Sequence, residues 1–138
     1  MADRVRKVSY VHVLVPNRAG HGARILEALR EAGVNLVAFH AFPGKSGTAQ
    51  VDLVAEDMAA LRRVARRNGW SLSKVKRGFV VQGEDRVGAV ERHFARLARA
   101  KVNVVANSAV AAGKGRYGMI LWVKPKDIPR AAKALGAR

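Results

Sequence analysis

Hydrophobic residues in the first half of the chain change from a two-residue period to a helical period. Valine occupies every second position from 11 to 15, which predicts a half-buried strand. Apolar residues at helical spacing follow over 25–29, and Gly33 is suited to end the helix that they predict. The chain therefore opens with a strand, a short loop and an amphipathic helix.

The next segments predict two more strands, a second helix and a closing strand. Apolar and β-branched residues dominate 34–42 and 49–55, and the glycine-containing stretch 43–47 between them is suited to an antiparallel hairpin. An amphipathic helix is predicted over 58–68, and 71–76 can supply a final strand. The first half thus has the order β-α-β-β-α-β, which places helices on one face of an antiparallel sheet.

The second half of the chain repeats this order. An offset of 68 residues aligns 17–55 with 85–123 and gives twelve identical positions without a gap. The identities include the pairs Arg18/Arg86, Gly20/Gly88, Arg24/Arg92, Leu29/Leu97, Asn35/Asn103 and Gly47/Gly115. Because glycine and asparagine mark turns, matches at these residues indicate a duplicated unit and not a chance likeness of alanine-rich segments.

Copy two differs from copy one at its end. No segment before Arg138 predicts a sixth element, so either the last strand is missing or another segment, such as Arg4–Lys7, fills the sheet edge. The predicted fold class is α+β, with two tandem ferredoxin-like βαββαβ units whose antiparallel sheets carry helices on one face. The predicted domains are 1–77 and 78–138.

Both copies carry a polar loop between the first strand and the first helix. It reads Asn17-Arg18-Ala19-Gly20 in copy one and Asp85-Arg86-Val87-Gly88 in copy two. An asparagine follows 18 residues after the start of each loop, at Asn35 and Asn103. Together, the loops, the paired asparagines, the element order and the duplication resemble the ACT domain family over nearly the whole chain. That family consists of small regulatory modules that bind amino acids and control metabolic enzymes.

The resemblance implies an amino-acid site at these loops, at an interface between domains or between subunits. The expected ligand-binding residues are Asn17, Arg18, Ala19, Gly20, His21, Asn35, Asp85, Arg86, Val87, Gly88, Ala89 and Asn103. A ligand carboxylate is suited to the N–H groups of a helix N-terminus, and glycine lets the backbone approach it. Asn17 or Asp85 can accept from the ammonium group, while Asn35 and Asn103 can contribute from a neighbouring copy.

The same loop residues also have a purely structural interpretation. Asn17 and Asp85 are ordinary helix N-cap residues, and Asn35 and Asn103 can satisfy a turn between a helix and a strand. Both loops lack the proline that often precedes the glycine in the family. The residues alone leave both interpretations open.

The composition adds a strong positive charge to this picture. The chain has 26 Lys and Arg against 10 Asp and Glu, which gives a formal charge of +16 spread over both halves. Such a field attracts polyanions, and the basic residues clustered in 62–77 are suited to phosphates. The alternative function is therefore a basic nucleic-acid-binding module. RNA recognition motifs share the element order, but their stacking aromatic residues are missing after Arg77-Gly78-Phe79.

No pattern of catalytic or metal-binding residues is recognisable in the sequence. Cysteine is absent, and the four histidines lack both helical ligand spacing and a neighbouring carboxylate cluster. The Gly-Lys-Ser stretch at 44–46 lacks the earlier glycine of a phosphate-binding loop. The serines form no recognisable nucleophile elbow. We therefore expect no enzyme activity, no metal and no cofactor.

These observations predict a regulatory protein that senses a small amino acid and has no catalytic domain of its own. No apolar run approaches the roughly 18 residues of a membrane span, and the first ten residues lack a signal-peptide core, so we expect a cytoplasmic protein without a membrane partner. The expected partners are a second copy of the chain, as a homodimer, and a metabolic enzyme or regulator. A nucleic-acid-binding module and a ligand-free protein-interaction module are the alternatives.

Overall fold

The computed structural model describes residues 3–138, which form two compact units. The copy-one unit comprises 9–76, and the copy-two unit comprises 77–138 together with the segment that ends at Val8. The units thus differ from the expected bounds 1–77 and 78–138 at the amino-terminal end. The difference arises because the first strand contributes its opening residues to the second copy.

The copy-one unit contains the first five predicted elements in the predicted order. They are the latter part of β1 (Arg4–Pro16), α1 (His21–Glu31), β2 (Leu36–Pro43), β3 (Thr48–Ala55) and α2 (Met58–Asn68). β3 pairs antiparallel with both β1 and β2. Asp57 caps α2 by accepting a hydrogen bond from the Ala60 backbone N–H at 3.1 Å, which fixes where that helix begins.

The copy-two unit repeats the arrangement. Its elements are β4 (Lys76–Glu84), α3 (Glu91–Arg99), β5 (Val104–Gly113), β6 (Arg116–Val123) and α4 (Ile128–Leu135). β6 pairs antiparallel with both β4 and β5, and a short 3-10 turn (Pro125–Asp127) leads into α4. Pro129 lies in the first turn of α4, where a missing N–H costs nothing.

The opening residues of β1 fill the strand position that copy two lacks. Val5 is 6% exposed and packs in the same core as Phe79 and Val81 of β4. The N–H of Arg138 donates to the Val5 carbonyl at 3.2 Å, and the N–H of Lys7 donates to the Arg138 carbonyl at 3.3 Å. The sheet of the copy-two unit is thus extended beyond β4 by residues from the other end of the chain.

The closing strand expected at 71–76 is largely replaced by an irregular segment. Only Leu72 forms a bridge, antiparallel to Val13. The hydroxyl oxygen of Ser73 accepts from the His12 backbone N–H at 2.9 Å and donates to the Lys74 carbonyl at 2.9 Å. The Ser73 N–H still donates to the His12 carbonyl at 2.9 Å, so the hydroxyl replaces one backbone acceptor of the ladder and the segment departs from strand geometry.

Equivalent positions of the two copies are buried alike. Each unit has one apolar cluster in which alternate strand residues pack against both of its helices. Leu29 and Leu97 are each 1% exposed in the first helices, and Leu61 and Ala131 are both fully buried in the second helices. This correspondence confirms the predicted α+β fold of two repeated βαββαβ units.

Candidate functional site

Both polar loops are anchored by the same hydrogen bond. The N–H of Asn17 donates to the Gly47 carbonyl at 2.8 Å, and the N–H of Asp85 donates to the Gly115 carbonyl at 2.8 Å. In each case the acceptor is a glycine in the turn of the hairpin that follows the first helix. The end of the first strand and the hairpin turn therefore lie together in both copies.

The glycine of each loop has a backbone conformation that suits glycine in particular. Gly20 has φ 98° and Gly88 has φ 76°, both in the left-handed region. A Cβ at either position would meet no heavy atom within 4 Å. The requirement for glycine is thus set by the backbone dihedral and not by crowding, and the space beside the loop stays open.

In the described part of the chain, no side-chain hydrogen bond caps the N-terminus of α1 or of α3. Gly20 is the N-cap of α1, and Val90 is the N-cap of α3 after a turn over 87–90. The side chains of Asn17 and Asp85 are exposed and make no hydrogen bond to any residue in 3–138. The N-cap interpretation of these two residues is therefore wrong, and both side chains are available to a ligand.

A cavity of about 300 Å³ lies against the loop of the copy-two unit. Of the expected ligand-binding residues, it gathers Asp85, Arg86, Gly88 and Ala89. Val87, which is fully exposed, does not line it. The remaining wall comes from residues that the sequence did not single out, namely Val90, Glu91, Ala109, Val110, Ala111 and Tyr117.

The wall of this cavity combines opposite charges with small apolar side chains. Asp85 and Glu91 supply carboxylates, and Arg86 supplies a guanidinium. No described residue accepts a hydrogen bond from the backbone N–H of Gly88. Alanine and valine of β5 form the apolar part. The cavity therefore offers complementary groups for an ammonium, a carboxylate and a small apolar substituent.

Asn35 and Asn103 lie beyond the other end of the helix that each loop precedes. α1 has 11 residues and α3 has 9, so the rise of the helix alone separates the asparagines from the loops by roughly 14–16 Å. Asn35 donates through its side chain to Glu56 Oε1 at 3.1 Å, while Asn103 lines a different cavity of about 570 Å³. A single unit therefore does not bring loop and asparagine together.

A buried ionic cluster supports the cavity through Tyr117. The Tyr117 hydroxyl donates to Asp3 Oδ2 at 2.5 Å, and His93 Nε2 lies 2.7 Å from the same oxygen. Arg92 Nη2 lies 2.7 Å from Asp3 Oδ1. The side chains of Asp3 and His93 are 3% and 2% exposed. This cluster fixes the amino-terminal segment to α3 and β6 of the copy-two unit.

The pKa values of the cluster follow from burial and hydrogen bonding. Burial alone would raise the pKa of Asp3, but the bonds from Tyr117, Arg92 and His93 outweigh it and lower the pKa to about 2. Burial and the Asp3 carboxylate together raise the pKa of Tyr117. Asp3 is therefore ionised and Tyr117 neutral at physiological pH.

One signal in the sequence marked this cluster. The internal alignment places His93 opposite Ile25, which is buried in copy one, so a core position changes from apolar to polar between the copies. A buried histidine needs a hydrogen-bond partner. The partner, Asp3, is 90 residues away in sequence, and no local pattern points to it.

A second polar group lies in the copy-one unit. The side chain of Asp52 in β3 is buried, with 4% of the residue exposed. Asp52 lies opposite His12 of β1 and opposite His40 of β2 in the sheet, and its Oδ2 is 3.3 Å from His40 Nδ1. The Gln50 amide donates to its other oxygen at 2.9 Å. Lys76 Nζ approaches His12 Nδ1 at 2.7 Å. Within 3–138, no three His, Cys, Asp or Glu residues are grouped as a metal site would require.

The helices of the structure are short. Among the described residues, none is both long and apolar enough to cross a membrane.

Comparisons with known proteins identify structural relatives only. No protein-family model and no curated protein sequence matches the chain. The crystal structure of protein BT0572 from Bacteroides thetaiotaomicron is similar over 96% of this chain and 88% of that one, with a TM-score of 0.82 at 11% identity. The fold is therefore shared despite very distant sequences.

Two further relatives are regulatory parts of aspartate kinase. The ligand-free regulatory subunit from Thermus thermophilus matches 98% of this chain and 93% of its own length, with a TM-score of 0.60 at 16% identity. A putative C-terminal regulatory domain from Porphyromonas gingivalis W83 matches 98% and 94%, with a TM-score of 0.61 at 18% identity. The duplicated α+β architecture of this chain is thus shared with regulatory domains of aspartate kinase, which is consistent with the predicted ACT-like fold.

Proposed function

We propose that this chain is a regulatory module that binds a small amino acid at the Asp85–Gly88 loop of its copy-two unit. The observation that carries this proposal is the cavity at that loop, where Gly88 adopts a left-handed conformation and the Asp85 side chain has no partner within 3–138. The fold shared with regulatory domains of aspartate kinase supports a sensing role. The Asn17–Gly20 loop of copy one is the second candidate site.

The chemistry of the cavity fits a zwitterion. In the proposed site, Asp85 and Glu91 bind the ammonium group, while Arg86 and the Gly88 N–H, which has no acceptor within 3–138, bind the carboxylate. The side chain of the ligand faces Ala109, Val110 and Ala111, which leave space for a small apolar group. We therefore infer glycine, alanine, serine or a branched aliphatic amino acid over a large aromatic one.

The cavity is a partial site on energetic grounds. Millimolar binding requires about 4 kcal/mol, whereas a helix N-terminus contributes only about 0.3–1 kcal/mol and an exposed ion pair about 0–1 kcal/mol. Additional groups must therefore close over the ligand. We propose that a second copy of the chain supplies them in a homodimer, with Asn103 as the expected residue because it lies too far from the loop of its own unit.

The regulatory role follows from the same dimer. A ligand that is held by two chains stabilises their association by its differential affinity for the assembled state. We propose that a cytoplasmic enzyme or regulator of amino-acid metabolism responds to that association and that the chain performs no catalysis itself. The neighbours that are parts of aspartate kinase make a metabolic enzyme the favoured partner class.

The repeat provides a matched control for the test. The twenty amino acids are titrated calorimetrically into the wild-type protein, Arg86→Ala and Arg18→Ala. We expect one or a few small amino acids to bind, Arg86→Ala to weaken binding at least tenfold, and Arg18→Ala to leave it unchanged. Equal losses in both variants, or a loss only in Arg18→Ala, would move the site away from the copy-two loop. No heat with any amino acid would refute the proposed function.

A further inference from the structure

We propose that the groove between α3 and α4 of the copy-two unit binds the phosphate backbone of a nucleic acid. The groove has a volume of about 420 Å³ and is lined by Arg96, Arg99, Ala100, Arg130, Lys133 and Ala134. It lies away from the cavity at the Asp85–Gly88 loop, since the two share no lining residue. The proposal is therefore independent of the amino-acid site.

Four cations and two alanines line this groove. The side chains of Arg96, Arg99 and Lys133 are exposed and form no ion pair with any residue in 3–138. Arg130 donates to Asp127 Oδ1 at 2.9 Å and to the Lys101 carbonyl at 3.3 Å, which holds its guanidinium at the edge of the groove. Three cations without an ion pair in 3–138 and one oriented guanidinium thus line the same groove.

The internal repeat shows that the fold does not require these charges. The first helices align with an offset of 68, which matches buried Leu29 with Leu97, and the second helices align with an offset of 70, which matches buried Leu61 with Ala131. The residues of copy one that are equivalent to the four cations are Ala28, Glu31, Ala60 and Arg63. Those four residues sum to no net charge, whereas the four in copy two sum to +4. The positive groove is therefore a property of copy two and not of the architecture.

The arrangement has an energetic cost when no ligand is present. Arg96 and Arg99 are three residues apart on α3, and Arg130 and Lys133 are three apart on α4, so like charges adjoin on both helices. Such neighbouring like charges weaken a helix slightly. A polyanion in the groove would remove this repulsion, and guanidinium groups match phosphate oxygens in geometry.

Nucleic acid is favoured over an acidic protein segment by the charge of the whole molecule. A formal charge of +16 creates a long-range field that suits an extended polyanion. The groove contains no aromatic side chain on which bases could stack. We therefore infer contact with phosphates without recognition of base sequence.

The dependence of affinity on salt gives a sharp test. Three unpaired cations that contact duplex DNA predict a slope of about −2.7 for log K against log salt, or about a 40-fold loss of affinity between 50 and 200 mM salt. The groove variant is Arg96→Ala/Arg99→Glu/Lys133→Ala, which takes two residues from copy one and keeps the Arg130–Asp127 pair. The control variant is Arg62→Ala/Arg63→Glu/Arg66→Ala on α2, which removes the same charge from the basic cluster in 62–77 and so distinguishes that surface from the groove.

A fluorescein-labelled DNA duplex of about 20 base pairs is titrated with each protein at several salt concentrations, and polyglutamate is titrated in parallel. The proposal predicts that the slope becomes flatter by about 2.7 in the groove variant and stays near the wild-type value in the control variant. Equal slopes in both variants would show that binding follows net charge alone and would overturn the proposal. A groove variant that loses polyglutamate binding but keeps DNA binding would assign the groove to an acidic protein instead.

If the triple groove variant does not fold, the single variant Arg99→Glu must reduce the slope by about one. An unchanged slope in that variant overturns the proposal.

Discussion

Replacing Asp3 by alanine tests the buried cluster that fixes the amino-terminal segment beneath the candidate cavity. The substitution removes a carboxylate that accepts from the Tyr117 hydroxyl at 2.5 Å and lies 2.7 Å from both His93 and Arg92. Arg92 is about one-third exposed, so water can solvate its guanidinium. His93 and Tyr117 are buried and would be left without this acceptor.

The expected loss of stability follows from those two buried groups. An unsatisfied buried donor costs about 1–3 kcal/mol, so two of them with partial relaxation predict a loss of about 2–4 kcal/mol. The pKa of Asp3 gives a second figure, which arises from the same contacts. Its lowering from 3.8 to about 2 corresponds by linkage to about 2 kcal/mol once solvent screening is considered. Both routes lead to an effect well above that of an ordinary surface substitution.

The assay uses the two tryptophans as separate reporters. Trp122 lies in β6 of the copy-two unit, and Trp70 packs against the core of the copy-one unit. Urea unfolding is followed by fluorescence in Trp70→Phe and Trp122→Phe backgrounds. We expect Asp3→Ala to lower the midpoint of the Trp122 transition, because all partners of Asp3 lie in that unit.

A double-mutant cycle with His93→Ile decides whether the contact itself is responsible. Isoleucine is the residue that copy one buries at the equivalent position 25. In the His93→Ile background, Asp3→Ala should cost about half as much, with a coupling of about 1–2 kcal/mol. Since the folded pKa is lowered, the contribution of Asp3 is present above about pH 3.8 and is lost as the pH falls toward 2. A loss below about 0.5 kcal/mol, or an equal loss in both backgrounds, would show that the contact between Asp3 and His93 does not stabilise the copy-two unit.

Four further predictions concern other parts of the molecule. Gly83→Ala should lower the free energy of unfolding, measured in urea, by about 1–3 kcal/mol, because an added Cβ collides with the Asp3 carboxylate. Gly118→Ala should lower it less, because an added Cβ there meets only one atom, at 4.0 Å. Leu97→Ala and Leu29→Ala should each cost about 2–5 kcal/mol, since each removes a fully buried side chain, and similar values would support the equivalence of the two cores. Burial and the charge of Lys76 lower the pKa of His12 below its ordinary 6.5, so the free energy of unfolding should fall as the pH drops below about 6.5. The titration midpoint of His12, measured by NMR, should rise in Lys76→Met because the neighbouring charge is removed. An unchanged midpoint would contradict this cause. Asn103→Ala should weaken amino-acid binding severalfold if two chains form the site, while Asn35→Ala, which removes an exposed hydrogen bond to Glu56, should change calorimetric affinity at the copy-two loop by less than about twofold.

Much of the fold was predictable because the periodicity of hydrophobic residues within each segment indicates a strand or a helix. The alternation in β1, the helical spacing in α1 and α2 and the glycine-containing hairpin turns each depend on residues near in sequence. The duplication strengthened the prediction, since the second copy had to satisfy the same pattern. The loops at Asn17 and Asp85 were predicted in the same way, because glycine at a helix start signals a special backbone conformation.

The parts that sequence could not determine depend on contacts between distant segments. Asp3 and Val5 complete the copy-two unit from the opposite end of the chain, and no periodicity links them to Tyr117 or Phe79. The prediction of a closing strand at 71–76 was largely wrong because the Ser73 hydroxyl, and not a backbone carbonyl, accepts the hydrogen bond from the His12 N–H. That contact depends on the position of His12, which is 61 residues away in sequence. The asparagine pairing was suggested by spacing, but a helix separates Asn103 from its own loop.

The most direct test of the central claim is an amide NMR titration of the 15N-labelled protein with the amino acid that binds most tightly in calorimetry. Binding at the copy-two loop predicts saturable shifts of the Arg86, Gly88 and Ala89 amides, with smaller shifts at Val110 and Ala111 across the cavity. The equivalent amides of Arg18 and Gly20 report on the other loop in the same spectrum. Shifts confined to the copy-one loop, or no saturable shift within 85–91, would contradict the assignment of the site.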